Sequence, residues 1–240
     1  MKTAEAKQRL MDESVRLIDE MGLAGLSFRE MSRRAGLSHQ APYHHFANRE
    51  AILAAIVHEG FTRLDARLVE AQRHDRRKGA QQLLRGTIRA YMLFALDNPV
   101  HYRIMFRPEL VNLPEYPEAL AQAKSSFQRL VTAVAACNPN VAETDQQLIE
   151  VANGLWAAAH GVATLWLDGP LRHNTPGMSI ASLIDAASEM FSRAGAQTAR
   201  TLKKSAKDSP RTKPRHPGRQ SARAIENRRR ESPADRDAPR

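Results

Sequence analysis

Apolar residues recur along this chain at steps of three and four, and nothing in its first 195 residues alternates with period two over a useful length. The spacing therefore predicts an all-α fold with no strands. Leu10, Leu17, Ile18 and Met21 mark a first amphipathic helix, stopped by Gly22 and Gly25. Two short helical patterns follow. The first opens at Ser27, with Glu30 at the capping-box spacing and Phe28, Met31 and Ala35 on one side. Gly36 supplies the left-handed residue that ends it. Ser38 is placed to cap the second, which carries His39, Gln40, Ala41, Tyr43, His44 and His45. Two short helices about a glycine turn are the syntax of a helix-turn-helix, whose second member lies in the DNA major groove.

A long helix is predicted from about Asn48 to Gln72, with Leu53, Val57, Phe61, Leu64 and Leu68 as its core stripe. Leu84, Ile88, Tyr91 and Ala95 mark the next, ended by Asn98-Pro99. A short helix covers His101 to Phe106. Another carries Leu120, Ala123, Phe127, Leu130 and Val134 and closes at Asn138-Pro139. From about Glu143 to Leu167, the residues Leu148, Ala152, Leu155, Ala159, Val162 and Trp166 form a heptad seam, the period for packing along a partner helix. Gly154 and Gly161 lie on another side, where backbones can approach closely. A final helix carries Ile180, Leu183, Ile184, Ala187, Met190, Phe191 and Ala194.

Charge changes the picture mainly by its placement. Residues 197–240 hold 14 of the 36 Lys and Arg but only 5 of the 26 Asp and Glu, a net of +9 out of the chain's +10. The body is nearly neutral, so overall basicity says little about how it would meet DNA. This end of the chain has almost no large apolar side chains and five of the 13 prolines. It is expected to be a disordered basic tail. The sequence thus suggests a DNA-binding domain at 1–48, a second helical domain at 49–195, and the tail at 196–240.

Candidate chemistry is mostly negative. A single cysteine, Cys137, excludes an internal disulfide framework, and no signal peptide or membrane-length apolar run is present. A soluble cytoplasmic protein is expected. Glycine-rich phosphate loops, Cys-x-x-Cys, His-Glu-x-x-His and nucleophile elbows are missing. His44 and His45 are helical neighbours pointing about 100° apart, a poor metal pair. No enzyme activity, cofactor or metal is expected.

The Ala35-Gly36-Leu37-Ser38 turn, the Tyr43-His44-His45-Phe46 run and the Arg49-Glu50-Ala51-Ile52-Leu53 helix start resemble the DNA-binding domain of TetR-family regulators. Gln40 departs from the small residue usual at its position. Leu155-Trp156-Ala157-Ala158-Ala159-His160-Gly161 resembles the Trp/His/Gly-marked ligand domain of one subgroup, the WHG subgroup. The resemblance implies a ligand-responsive repressor that binds double-stranded DNA as a homodimer on a palindromic operator, its two C-terminal helices paired across a two-fold axis. It implies phosphate contacts from Tyr43, His45 and Arg49, with Ser27 and Ser38 facing the DNA backbone at helix starts. Base reading would fall to His39, Gln40, Ala41 and His44, with Arg29 from the preceding helix. Phe46 reads as core, and Arg33 and Arg34 as a solvated face. An effector pocket would be lined from Tyr91, Phe94, Met105, Phe106, Phe127, Trp156, His160 and Trp166, and its mostly apolar character suggests a hydrophobic or aromatic small molecule. The alternative is a nucleoid-like or RNA-binding protein acting through its basic tail.

Overall fold

The computed structural model describes residues 2–174 and 176–208. Among these the chain is all-α, without a strand. Three helices open it: α1 (Lys2–Met21), α2 (Phe28–Ala35) and α3 (Ala41–His45). Leu10 and Leu17 of α1 are fully buried, and Ser14 on the same face donates its hydroxyl to the Leu10 carbonyl at 2.7 Å. Met21, expected in this stripe, is instead 49% exposed. The stripe ends a turn early because the chain swings away at Gly22, whose φ is 70°.

Ser27 caps α2 as its spacing predicts, its Oγ accepting the Glu30 N–H at 3.2 Å. The reciprocal half of the capping box is missing, because the Glu30 carboxylate turns to Arg33 and Arg34. Gly36 closes α2 in the left-handed region at φ 66°, and the Leu37 N–H reaches back to the Ser32 carbonyl at 3.0 Å. Ser38 does not cap the next helix. α3 starts only at Ala41, with His39 and Gln40 in the turn before it. Pro42 explains the shift. A helix capped at Ser38 would need residue 42 to donate to the Ser38 carbonyl, and proline has no N–H to give. That carbonyl takes the Ala41 N–H at 3.0 Å instead.

The long helix α4 (Arg49–Asp75) follows an Asn48 cap, whose Oδ1 accepts the Ala51 N–H at 2.8 Å. Its predicted stripe, Leu53 to Leu68, is buried throughout. α5 (Ala80–Asp97), α6 (Pro99–Met105) and α7 (Pro117–Ala136) pack around it, and α8 (Gln146–Leu167) covers α5 and α7. Gly60 of α4 lets α6 come close: a Cβ there would lie 2.5 Å from Met105 Sδ. Short α9 (Pro170–Asn174), which no apolar period marks, leads to α10 (Ile180–Asp208).

Leu148, Ala152, Leu155 and Ala159 of the α8 seam are buried against α5 and α7 within the chain, so the seam does not face a partner. It then drifts: Ala163 is buried where Val162 and Trp166 are only half-buried. A straight helix turns about 20° per heptad away from a 3.5-residue repeat. The face left open holds Gly154, Gly161 and Leu165; nothing lies within 4 Å of a Cβ built at either glycine. α10 likewise buries Ile184, Ala187, Ser188, Ser192 and Gly195, while Met190 and Ala194, expected in its apolar stripe, are exposed. Arg89 pairs with Asp185 at 2.7 Å and joins α5 to α10.

Residues up to Ser205 form one compact unit. α10 runs to Asp208, past the start of the segment read as disordered, because the sequence there keeps mostly to good helix formers and no proline occurs before Pro210. The expectation for residues 209–240 lies outside the described residues.

Candidate functional site

Two regions bring the predicted site residues together. The first is the surface around α3. Ser27, Arg29, Ser38, His39, Gln40, Tyr43, His44 and Arg49 are all exposed there, and Ala41 is half-buried. Tyr43 is 61% exposed, with its ring tilted against Phe28 at a centroid distance of 4.7 Å. The contact holds the ring on one side while most of the side chain stays in solvent. Arg49 donates through Nη2 to the Leu23 carbonyl. A guanidinium has five N–H donors, so others remain. Phe46 is buried, as predicted. His45 stands apart from the exposed group: it is half-buried and lines a cleft between α1, α4 and the start of α7.

Arg33 is solvated, as expected, but Arg34 is half-buried, and both are ion-paired within the chain. Arg33 meets Glu30 at 2.6 Å, and Arg34 bridges Glu30 at 3.0 Å and Glu20 at 2.7 Å. Arg33, then Arg34, hold the Glu30 carboxyl down to about 2. The cations of α2 are therefore largely answered within the chain.

The same cleft ends in a cluster tying α4 to α6. His101 is buried with Nε2 3.2 Å from Glu59 Oε2, and Arg63 meets Oε1 at 2.6 Å. His101 first, then Arg63, lower the Glu59 carboxyl to about 2 from an ordinary 4.5. A lowered carboxylate stabilises the fold fully above its unfolded value and loses that contribution as pH falls through the folded one. The difference in unfolding free energy between wild type and Glu59→Gln should be on the order of 2–3 kcal/mol at neutral pH and shrink between pH 4.5 and about 2. Urea titrations across that range measure it; a pH-independent difference would refute the assignment.

The second region is a cavity of about 380 Å³ inside the larger helical unit. α4 supplies Phe61, Leu64 and Leu68; α5 supplies Thr87, Ile88 and Tyr91; α6 supplies Met105, and Phe106 follows at its end. α7 contributes Ala123, Ser126, Phe127 and Leu130, and α8 contributes Asn153, Leu155, Trp156 and Ala159. Of the predicted lining, Tyr91, Met105, Phe106, Phe127 and Trp156 are in place. Phe94 is not: it is 1% exposed in the core and outside the wall. Trp166 does not reach the cavity either, because α8 carries it two turns beyond the last lining residue, Ala159. His160 lies behind the wall rather than on it.

His160 holds the polar network of this region. Its Nδ1 is 2.8 Å from both the Tyr91 and Tyr102 hydroxyls. Tyr102 also lies 3.1 Å from the His160 carbonyl and 3.1 Å from Thr164 Oγ1, and Trp156 Nε1 donates to the Tyr91 oxygen at 3.1 Å. Phe106 packs edge-on against the imidazole at 4.9 Å. Burial pushes both tyrosine hydroxyls up and the imidazole down, so all three stay neutral. Tyr102 escaped the sequence reading: only its contact with His160, 58 positions away, marks it. The α4 wall was visible in sequence only as a core stripe.

A capped helix-turn-helix at the start of an all-α chain, with its second helix exposed, defines a DNA-binding regulator. Residues 10–56 match the family model described as bacterial regulatory proteins of the tetR family, and residues 84–191 match the tetracyclin repressor-like C-terminal domain. The chain belongs to the TetR family of transcriptional regulators. The Trp156, His160 and Gly161 positions fall within the second match. A Rhodococcus sp. RHA1 protein of unknown function is similar at 27% identity and TM-score 0.63, over 79% of this chain and 94% of that one. The TetR-family regulator PfmR from Thermus thermophilus shares the fold at 18% identity and TM-score 0.60, over 77% and 97%. A TetR-family regulator from Marinobacter aquaeolei does so at 18% and 0.58, over 81% and 98%. None of the curated proteins compared with the chain matches it. No helix among the described residues is long and apolar enough to cross a membrane.

Proposed function

We propose that this protein is a homodimeric repressor in the bacterial cytoplasm that binds a palindromic operator and releases it when a small apolar molecule enters the α4–α8 cavity. One observation carries the reading. α4 begins directly behind the exposed recognition segment at Arg49, and the same helix lines the cavity through Phe61, Leu64 and Leu68. An occupant therefore touches the helix that positions α3. The open α8–α10 face, with Gly154, Gly161, Leu165 and Met190, supports pairing with a second copy.

In this reading Tyr43 and Arg49 hold phosphates, joined by Ser27, Ser38 and His45. His39, Gln40, Ala41, His44 and Arg29 face base edges. Tyr43→Phe or Arg49→Ala should weaken binding about tenfold on every sequence alike, whereas Gln40→Ala should change which sequence is preferred. Fluorescence anisotropy on a panel of duplexes separates the two, and an unaltered preference for the Gln40 variant would remove Gln40 from the base-reading set. The chain ended at Asp208 should keep sequence-specific binding. Loss of all nucleic-acid binding on that truncation would favour action through the basic tail.

A further inference from the structure

The cavity wall contains no Asp, Glu, Lys, Arg or His side chain. A charged occupant would lose its hydration and find no counter-charge, which costs several kcal/mol. Its volume of about 380 Å³ is roughly 2.5 times that of a 150 Å³ cavity that holds benzene, enough for about two or three fused rings.

Most polar atoms of the wall are already engaged. Thr87 donates its hydroxyl to the Leu83 carbonyl at 2.8 Å, Ser126 donates to the Phe61 carbonyl at 3.3 Å, and Trp156 donates to Tyr91. Asn153 is exposed and its amide donates to the Ile149 carbonyl at 3.0 Å. The Tyr91 hydroxyl differs. It and the Tyr102 hydroxyl both stand 2.8 Å from the single His160 Nδ1. A neutral imidazole nitrogen either accepts one hydrogen bond or donates one; it cannot accept both tyrosine protons. Tyr102 has two other oxygens within 3.1 Å, but it does not line the cavity. Tyr91 does line it. An acceptor on an occupant can therefore draw the Tyr91 proton without orphaning His160, because Tyr102 then donates to Nδ1.

We propose that the cavity selects an uncharged, largely aromatic molecule carrying one carbonyl-type hydrogen-bond acceptor, held by the Tyr91 hydroxyl. This rests on the reading above that the cavity is the effector site. Tyr91 is the specificity-determining residue, and Trp156, by donating to its oxygen, directs its proton away from the indole.

Three naphthalene probes test it. One is the neutral ketone 6-propionyl-2-(dimethylamino)naphthalene. The second carries a carboxylate in place of the 6-propionyl group, and the third a propyl group there, without the carbonyl. The wild-type protein should bind the ketone at least about 100-fold more tightly than the carboxylate. The bound ketone should emit to the red of its emission in dry hydrocarbon, as a carbonyl accepting a hydrogen bond does. Tyr91→Phe should bind the ketone about tenfold more weakly, with emission shifted to the blue, and bind the propyl analogue unchanged. That unchanged binding also reports an intact cavity. Hydrocarbon-like emission from the wild-type complex, or equal ketone binding by Tyr91→Phe, overturns the Tyr91 assignment while leaving the cavity as the effector site. Equal binding of the carboxylate overturns the selection for neutral molecules. If no probe binds, or if Ala123→Phe, which fills the cavity from α7, binds the ketone as wild type does, the cavity reading itself fails and the proposal with it.

Discussion

Gly161→Arg should leave the helical content of the protein unchanged and convert it from dimer to monomer. Nothing lies within 4 Å of a Cβ at residue 161, so a side chain can leave the helix there without meeting its own subunit at the first carbon. In the proposed dimer on the α8–α10 face, the same position would fall where two backbones approach closely. There an arginine would be buried without a partner and hold the helices apart. The dimer should weaken by at least about 1000-fold, or about 4 kcal/mol. Operator affinity should fall by at least about 100-fold, because a monomer offers one recognition helix to a two-fold site. Leu165→Glu, at a side chain already 47% exposed, should act in the same direction. Analytical ultracentrifugation reads the assembly and anisotropy the DNA affinity. A Gly161→Arg protein that remains dimeric would place the interface elsewhere.

Phe46→Ala should lower stability by about 3–5 kcal/mol and remove DNA binding at physiological temperature. The ring is 3% exposed where α3 ends and α4 begins, and the Lys7 ammonium of α1 lies 5.9 Å from its centroid. Truncation would remove a large buried ring from the corner between α1, α3 and α4 and leave a cavity that relaxation fills only in part. Against total stabilities of about 5–15 kcal/mol that loss is severe, and for a chain of this size it corresponds to a drop of roughly 10 °C in Tm. Phe46→Leu should cost about 1–2 kcal/mol and keep DNA binding. Thermal unfolding followed by circular dichroism measures both. If Phe46→Ala unfolds within about 2 °C of wild type, the ring is not a corner post.

The helices were legible in the sequence because most bury a single stripe. The 3.6-residue period of α1, α4, α5 and α7 is a local property of their own residues. The boundaries that failed depended on something less local. α3 starts late because Pro42 cannot donate to Ser38, a consequence of the hydrogen-bond ladder rather than of capping preference. The α8 heptads have the period for pairing with a partner, yet Leu148 to Ala159 pack on α5 and α7 of the same chain. Periodicity gives a face but does not say what covers it. The α10 extension was missed because charge and proline content were averaged over a segment whose first twelve residues hold no proline.

Site residues show the same division. Tyr91, Phe106 and Trp156 were found because bulky aromatics stand out along any helix. Phe94, three positions from Tyr91, carries an identical signal and points into solid core. His160 stood out as a titratable group in an apolar run, but its role depends on Tyr91 and Tyr102, 69 and 58 positions away. Around α3, Tyr43 and Phe46 look alike in sequence, and burial separates them at 61% and 3% exposure.

The central claim is that the exposed surface around α3 reads DNA in pairs. Selection of bound duplexes from a random pool by the purified full-length protein tests it most directly. The account predicts enrichment of an inverted repeat whose half-sites are centred about one helical turn or slightly more apart, with preferences that shift in the Gln40→Ala protein. A pool that emerges unenriched, or that yields a single asymmetric site bound by a monomer, would contradict it.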